Sequence, residues 1–259
     1  MDQHTDEHPL AGALMYAFGD GIVAGHAYPQ ASFATVVAER EGMRLERFAV
    51  NGATICDTPL RRPHLSGMVL RQIEGVPAGA PAPDLVLFDG GTNDGWLLFR
   101  GELDVHGDPV PGAHHDAAEY AACFERTIGA IRRRWPQAVI VYVAVARMTS
   151  PDRAIQDELH RIAMDQCARH GVTVANVYED ADLDTAREAD RLAWSFDDLG
   201  SDGLPATERT TLVPYDGARP SGTHPNLPAV ERFYAPVVIR ALRAAWRSPE
   251  PRPGAGARP

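Results

Sequence analysis

The sequence predicts a three-layer α/β/α domain on a five-stranded parallel sheet. Three observations lead there. Short apolar runs alternate with amphipathic stretches along most of the chain, the order of parallel strands joined by right-handed helical crossovers. The runs ALMYAF, LVLF (after Asp84) and AVIVYVAVA are continuously apolar, as strands covered on both faces are. The unusual polar residues follow directly after these runs, at the sheet edge where open parallel sheets bind ligands.

Taken in order, 13–18 (ALMYAF) is a buried strand that stops at Gly19-Asp20-Gly21. The stretch 31–41 is helical, with Phe33, Val36 and Val37 on one side and Gly42 as its stop. The run 45–50 (LERFAV) is a second strand ending in the turn residues Asn51-Gly52. A helix is expected over 62–73, where Leu65, Val69 and Ile73 recur every four residues. The third strand is 84–88. The segment 116–135 is the clearest helix: Tyr120, Phe124, Ile128, Ile131 and Trp135 share a face, and Pro136 ends it. As the most hydrophobic strand, 138–146 is expected at the centre of the sheet. Ser150 is expected to cap a helix over 151–169, with Pro151 at its first position. A fifth strand, 172–177, and a last helix, 227–246, complete the pattern.

These elements give one domain over 13–247. A flexible N-terminus (1–12) precedes it and a Pro/Gly/Arg-rich disordered tail (248–259) follows. Two insertions break the rhythm, near 96–115 and 180–222, and long ordered insertions of this kind serve either as lids or as surface decoration. The formal net charge of −10 argues against a nucleic-acid or anionic-membrane partner and leaves a small-molecule substrate. Oligomeric state is not set. Cys56, Cys123 and Cys167 lack C-x-x-C spacing and read as buried thiols. With no basic-then-apolar leader and no apolar span, the expectation is a cytoplasmic protein. His106, His114, His115 and Asp116 crowd the first insertion, but adjacent residues rarely converge on one ion, so no metal and no cofactor are expected. Trp96, Trp194 and Phe196 either line a pocket or pack the insertions onto the body.

The residues at the strand ends form a site hypothesis: Asp20 and Gly21, Asn51 and Gly52, Asn93 and Asp94, Arg147, and Ser221 to Asn226 around a lone His224. In order and placement these stretches resemble the SGNH (GDSL) hydrolase family, whose fold is flavodoxin-like. Gly19-Asp20-Gly21-Ile22 is similar to its Gly-Asp-Ser-Ile block, and Asn51-Gly52-Ala53 to its second. Gly91-Thr92-Asn93-Asp94 is similar to the third, and Ser221-Gly222-Thr223-His224-Pro225-Asn226 to the last, usually Asp-x-x-His-Pro. The resemblance implies that the Gly52 N–H and the Asn93 amide serve an oxyanion hole and that His224 is the base. It also places Gly21 where the nucleophilic serine stands and Ser221 where the catalytic acid stands.

Glycine cannot form an acyl-enzyme. The groups that remain can hold negative charge on a carbonyl oxygen and move a proton near neutral pH. Three uses follow: hydrolysis by directly activated water, proton abstraction beside a carbonyl (elimination, isomerisation, cyclisation), or binding of an acylated or sugar-like ligand without turnover. Asp20 is either structural or directly catalytic, and Asp94 holds a neighbouring loop or faces substrate. Asp216, eight residues before His224, is a candidate replacement acid. Ser221 is a candidate relocated nucleophile, and Arg147 either meets an anionic ligand or forms an ion pair.

Overall fold

The computed structural model describes residues 8–25, 32–57, 68–98, 116–195, 220 and 222–247. Five strands form one parallel sheet in the order β2-β1-β3-β4-β5: β1 (Leu14–Phe18), β2 (Arg44–Arg47), β3 (Leu85–Phe88), β4 (Val139–Ala144) and β5 (Thr173–Asn176). This is the five-stranded sheet with helices on both faces that the sequence predicts.

The layers follow from side-chain alternation along each strand. Met15, Ala17, Leu85, Leu87, Val141 and Val143 point to one face. There they pack with Phe33 and Val37 of α2 (Phe33–Glu41) and with Val238 and Leu242 of α10 (Ala235–Arg247). Tyr16, Phe18, Val86, Phe88, Tyr142 and Ala144 point to the other face. That face is covered by α3 (Val69–Gly75), α5 (Ala117–Arg134) and α6 (Arg153–Arg169). A buried Glu41 carboxylate pairs with Arg243 at 2.7 Å and ties α2 to α10.

Several expectations need correction. The central strand is β3; β4 lies beside it, because its apolar character reports cover on both faces, a property β1 and β3 share. The second strand begins and ends earlier than 45–50, at the mostly exposed edge of the sheet, where polar residues are tolerated. The expected flexible N-terminus is tied down from residue 8 on: Leu10 is fully buried and the Gly12 N–H donates to the Gly42 carbonyl. Ser150 does not cap α6. The helix starts at Arg153 after Asp152, and the Pro151 carbonyl is taken by the Gln156 side chain. Of the helix expected over 62–73 only the part from Val69 is described, and it runs on to Gly75.

Four short helices sit at the carboxyl edge of the sheet: α1 (Gly21–Ala24), α4 (Thr92–Leu98), α7 (Val177–Asp180) and α8 (Glu188–Trp194). The last two give the second insertion an ordered start. Trp194 packs edge-on against Phe233, so this tryptophan serves to dock the insertion on the body. The final helical stretch enters through α9 (Leu227–Ala229) and a π turn at Val230–Tyr234 before α10. All three cysteines are buried thiols. Among the described residues no helix is long and apolar enough to cross a membrane, and no His/Cys/Asp/Glu group is arranged to hold a metal ion. His106, His114, His115 and Phe196 lie outside the described residues; Asp116 is the N-cap of α5.

Candidate active site

β1 delivers Gly19 to Gly21 to the carboxyl edge, and the local sequence fixes how the chain turns there. Gly19 has φ +143°, and its Cβ would collide with the Asp89 carboxyl, so only glycine fits. Gln72 of α3 braces the turn from both sides: Gly19 N–H donates to its Oε1 at 2.8 Å, and its Nε2 donates to the Gly19 carbonyl at 2.9 Å. Nothing in the 3.6-residue pattern around Gln72 marks it as a bracing residue.

Asp20 is buried and caps α1, accepting the Ile22 N–H at 2.9 Å. Its other oxygen accepts from Asn93 Nδ2 at 3.1 Å. Burial pushes its carboxyl up from the ordinary range, opposed by the Ile22 N–H and by the charge of His224. Asn93 also donates to the Ala53 carbonyl at 3.0 Å, so both amide hydrogens are engaged within the protein. Asp94 turns away from Asn93 and is fully buried, accepting the Ile55 N–H at 2.9 Å and the Cys56 N–H at 2.9 Å. It therefore holds the loop that follows Gly52, the structural alternative of its two expected roles. Burial raises its carboxyl to about 6.

Gly21 opens α1, and two side chains occupy the space beside it. A Cβ there would fall 2.5 Å from Asn51 Oδ1, and His224 Nε2 takes up the same space. The structure thus brings Asp20, Gly21, Asn51, Gly52, Asn93 and His224 together from three strand ends and the loop before α9. Gly52 sits in the turn after β2 with φ +80°. Among the described residues no acceptor takes the N–H groups of Gly21 and Gly52.

His224 is buried and clamped through its neighbours. Upstream, Thr185 Oγ1 donates to the Gly222 carbonyl at 2.5 Å and accepts the Thr149 N–H at 3.1 Å. Downstream, Asn226 caps α9 and bonds the Ala193 and Trp194 carbonyls, at 2.8 and 2.9 Å. Thr149 and Thr185 carry no motif, so sequence reasoning had no means to find them. Arg147 lies on a small crevice beside the His224 loop, with its guanidinium over the Tyr178 ring at 5.2 Å. No ion pair of Arg147 is formed among the described residues. A second crevice lies between Gly90–Thr92 and the loop after β4, lined by Tyr120, Tyr142, His160 and Tyr178 among others. Asp216 and Ser221 lie outside the described residues.

The fold is that of a three-layer α/β/α protein, with a cluster of polar residues at the carboxyl ends of its strands. Residues 17–229 match the model of the GDSL-like Lipase/Acylhydrolase family, and the chain belongs to that family. Solved structures agree on the fold. A protein from Lactobacillus plantarum superposes with a TM-score of 0.61 at 15% identity, covering 90% of this chain and 96% of its own. A "possible lipase" from Chitinophaga pinensis gives 0.58 at 17%, covering 90% and 98%. Phospholipase A1 from Streptomyces albidoflavus gives 0.54 at 12%, covering 89% and 100%. At such identities the likeness establishes the fold and nothing finer. No curated protein sequence matches the chain. Family membership makes it, at the coarse level, a relative of esterase- and lipase-type hydrolases.

Proposed function

We propose that this chain hydrolyses an ester, thioester or other acyl carbonyl of a small molecule through water activated directly by His224, with no acyl-enzyme. The observation that carries this reading is His224 Nε2 standing in the space a side chain on residue 21 would fill. In the family the serine hydroxyl lies between base and substrate; here the base itself reaches that point. A water beside Nε2 gives its proton to the imidazole as it attacks the carbonyl carbon. The N–H groups of Gly21 and Gly52 receive the developing oxyanion. Collapse of the tetrahedral intermediate expels the alcohol or thiol, which takes the proton back from His224. Losing the serine nucleophile typically costs on the order of 10⁶ in turnover by the acyl-enzyme route, which makes a separate water route the economical use of what remains. The apolar crevice behind Gly91 and Thr92, lined by Tyr120, Tyr142 and Leu159, is the place offered to an apolar part of the acyl group.

The test is pre-steady-state hydrolysis of aryl and thioester substrates in excess over the protein, with intact-mass analysis and a hydroxylamine trap. Turnover without a burst and without an acylated chain, reduced at least tenfold in His224→Ala, supports the reading. A trapped acyl-enzyme, or turnover indifferent to His224→Ala, overturns it.

One observation favours a second reading, a ligand-binding protein without turnover. Both Asn93 amide hydrogens are already spent on Asp20 and Ala53, which weakens the oxyanion hole. Saturable binding of an acylated ligand that persists in His224→Ala, with no product formed, would select it. Elimination products in place of acid and alcohol would instead mark proton abstraction by the same histidine.

A further inference from the structure

Asp89 follows β3 directly and has no solvent exposure. One carboxyl oxygen accepts the Asp20 N–H at 3.0 Å, while Oδ2 is buried with no hydrogen-bond partner among the described residues. No cation pairs with it among the described residues. The groups that face it are acids and phenols: Asp20 from the turn after β1, Tyr142 of β4 and Tyr234 of the π turn. Asp94 of α4 and His224 each interact with Asp20.

A buried oxygen without a partner needs an explanation. Two carboxylates in contact are both acceptors, so no hydrogen bond forms between them while both are ionised. Isolated buried charge is among the least tolerated states in a protein, and carboxyl pairs sharing a site resolve it by keeping one proton. A single proton here supplies the donor that Oδ2 lacks and removes the repulsion.

We infer that Asp89 is a neutral carboxylic acid in the folded protein, its proton shared with Asp20, so that the pair presents one negative charge beneath His224. Burial first, and the adjacent Asp20 second, hold the Asp89 carboxyl well above the carboxylate range, in the same direction. Asp20 then carries the charge, satisfied by the Ile22 N–H, Asn93, Thr92 and the Asp89 proton. Its interaction with His224 makes it the counter-charge for the imidazolium formed when His224 takes a proton. The chain has Ser221 where the resemblance expects an acid for that task. Asp89 is thus a positioning residue that acts through Asp20. This functional weight rests on the hydrolase reading; the protonation state does not.

Two measurements test the protonation state without using turnover. Asp89→Asn keeps an acceptor for the Asp20 N–H and gives Asp20 an N–H donor where the acid gave its proton. If Asp89 holds a proton that the unfolded chain has lost, the folding constant of the variant relative to wild type rises with pH. The expected slope is about tenfold per pH unit between about pH 5 and 8, read by denaturant titration. A ratio that stays flat over that range overturns the proposal. Infrared spectroscopy of wild type with carboxyl-labelled aspartate needs no variant to fold. At neutral pH in heavy water it should show the carbonyl stretch of one protonated aspartic acid that vanishes on unfolding. Its absence from the native protein also overturns the proposal. Either result stands whether or not the protein proves to be a hydrolase, so failure of the two readings can be told apart.

Discussion

Asn51 Oδ1 lies 2.5 Å from the point where a side chain on Gly21 would begin, and His224 Nε2 crowds the same point. The space beside the glycine is therefore taken by two side-chain ends, which a side chain on residue 21 would have to displace. Gly21→Ser forces two side-chain ends to move, and overpacking of this kind costs about 1–3 kcal/mol. We expect Gly21→Ser to lower the melting temperature and Gly21→Ser/Asn51→Ala to recover part of it. The double variant is also the one expected to gain a fluorophosphonate adduct by mass spectrometry. Full stability in Gly21→Ser alone would show that the crowding is soft.

Asn93 has a structural job, and substitution can test whether it has a catalytic one as well. Its amide bonds Asp20 and the Ala53 carbonyl, so Asn93→Ala strands two acceptors at about 1–3 kcal/mol. If the amide also swings to an oxyanion in the transition state, turnover falls at least tenfold in protein that remains folded. Denaturant titration beside kcat measures both. A stability loss with kcat unchanged would confine Asn93 to architecture.

Most of this framework is legible in the sequence. Continuous apolar runs mark β1, β3 and β4 because both faces of each are covered, and Tyr120 to Ile131 mark α5 because one face of it is. Gly19, Asp20, Asn51, Asn93 and His224 stand out because each follows a strand or precedes a helix at one edge. The supports of the site are illegible for a physical reason. Gln72, Thr149 and Thr185 act through contacts 53 and 36 residues away along the chain, and such pairings leave no local period. Asp89 is visible as a letter but not as an acid, since its state depends on burial against Asp20. The polar edge of β2 misplaced that strand by the same logic: at 45–47 exposure, not period, selects the residues.

Thr185 fixes the loop that carries His224. Thr185→Val removes the donor to Gly222 and the acceptor for Thr149 while keeping the shape. The buried Gly222 carbonyl and the part-buried Thr149 N–H lose partners, at about 1–3 kcal/mol in all. A looser His224 should lower kcat several-fold with KM little changed, and Thr185→Ser should restore both. Equal kcat in Thr185→Val and wild type would show that the downstream clamp, Asn226 on 193–194, suffices.

Asp94 should make stability fall as the solution leaves the acid range. Its carboxyl is raised by burial to about 6, against about 3.9 for a free aspartate. A group raised on folding adds stability that is fully present below its unfolded value and is lost as pH rises through its folded value. The loss therefore falls between about pH 4 and 6 and amounts to about 3 kcal/mol at most, at 1.36 kcal/mol per unit. Asp94→Asn cannot ionise, so wild-type stability minus variant stability should drop over that window and level off above about pH 7. Urea titrations of both proteins at several pH values measure it. A difference that rises with pH would mean that the N–H groups of Ile55 and Cys56 favour the carboxylate more than burial disfavours it.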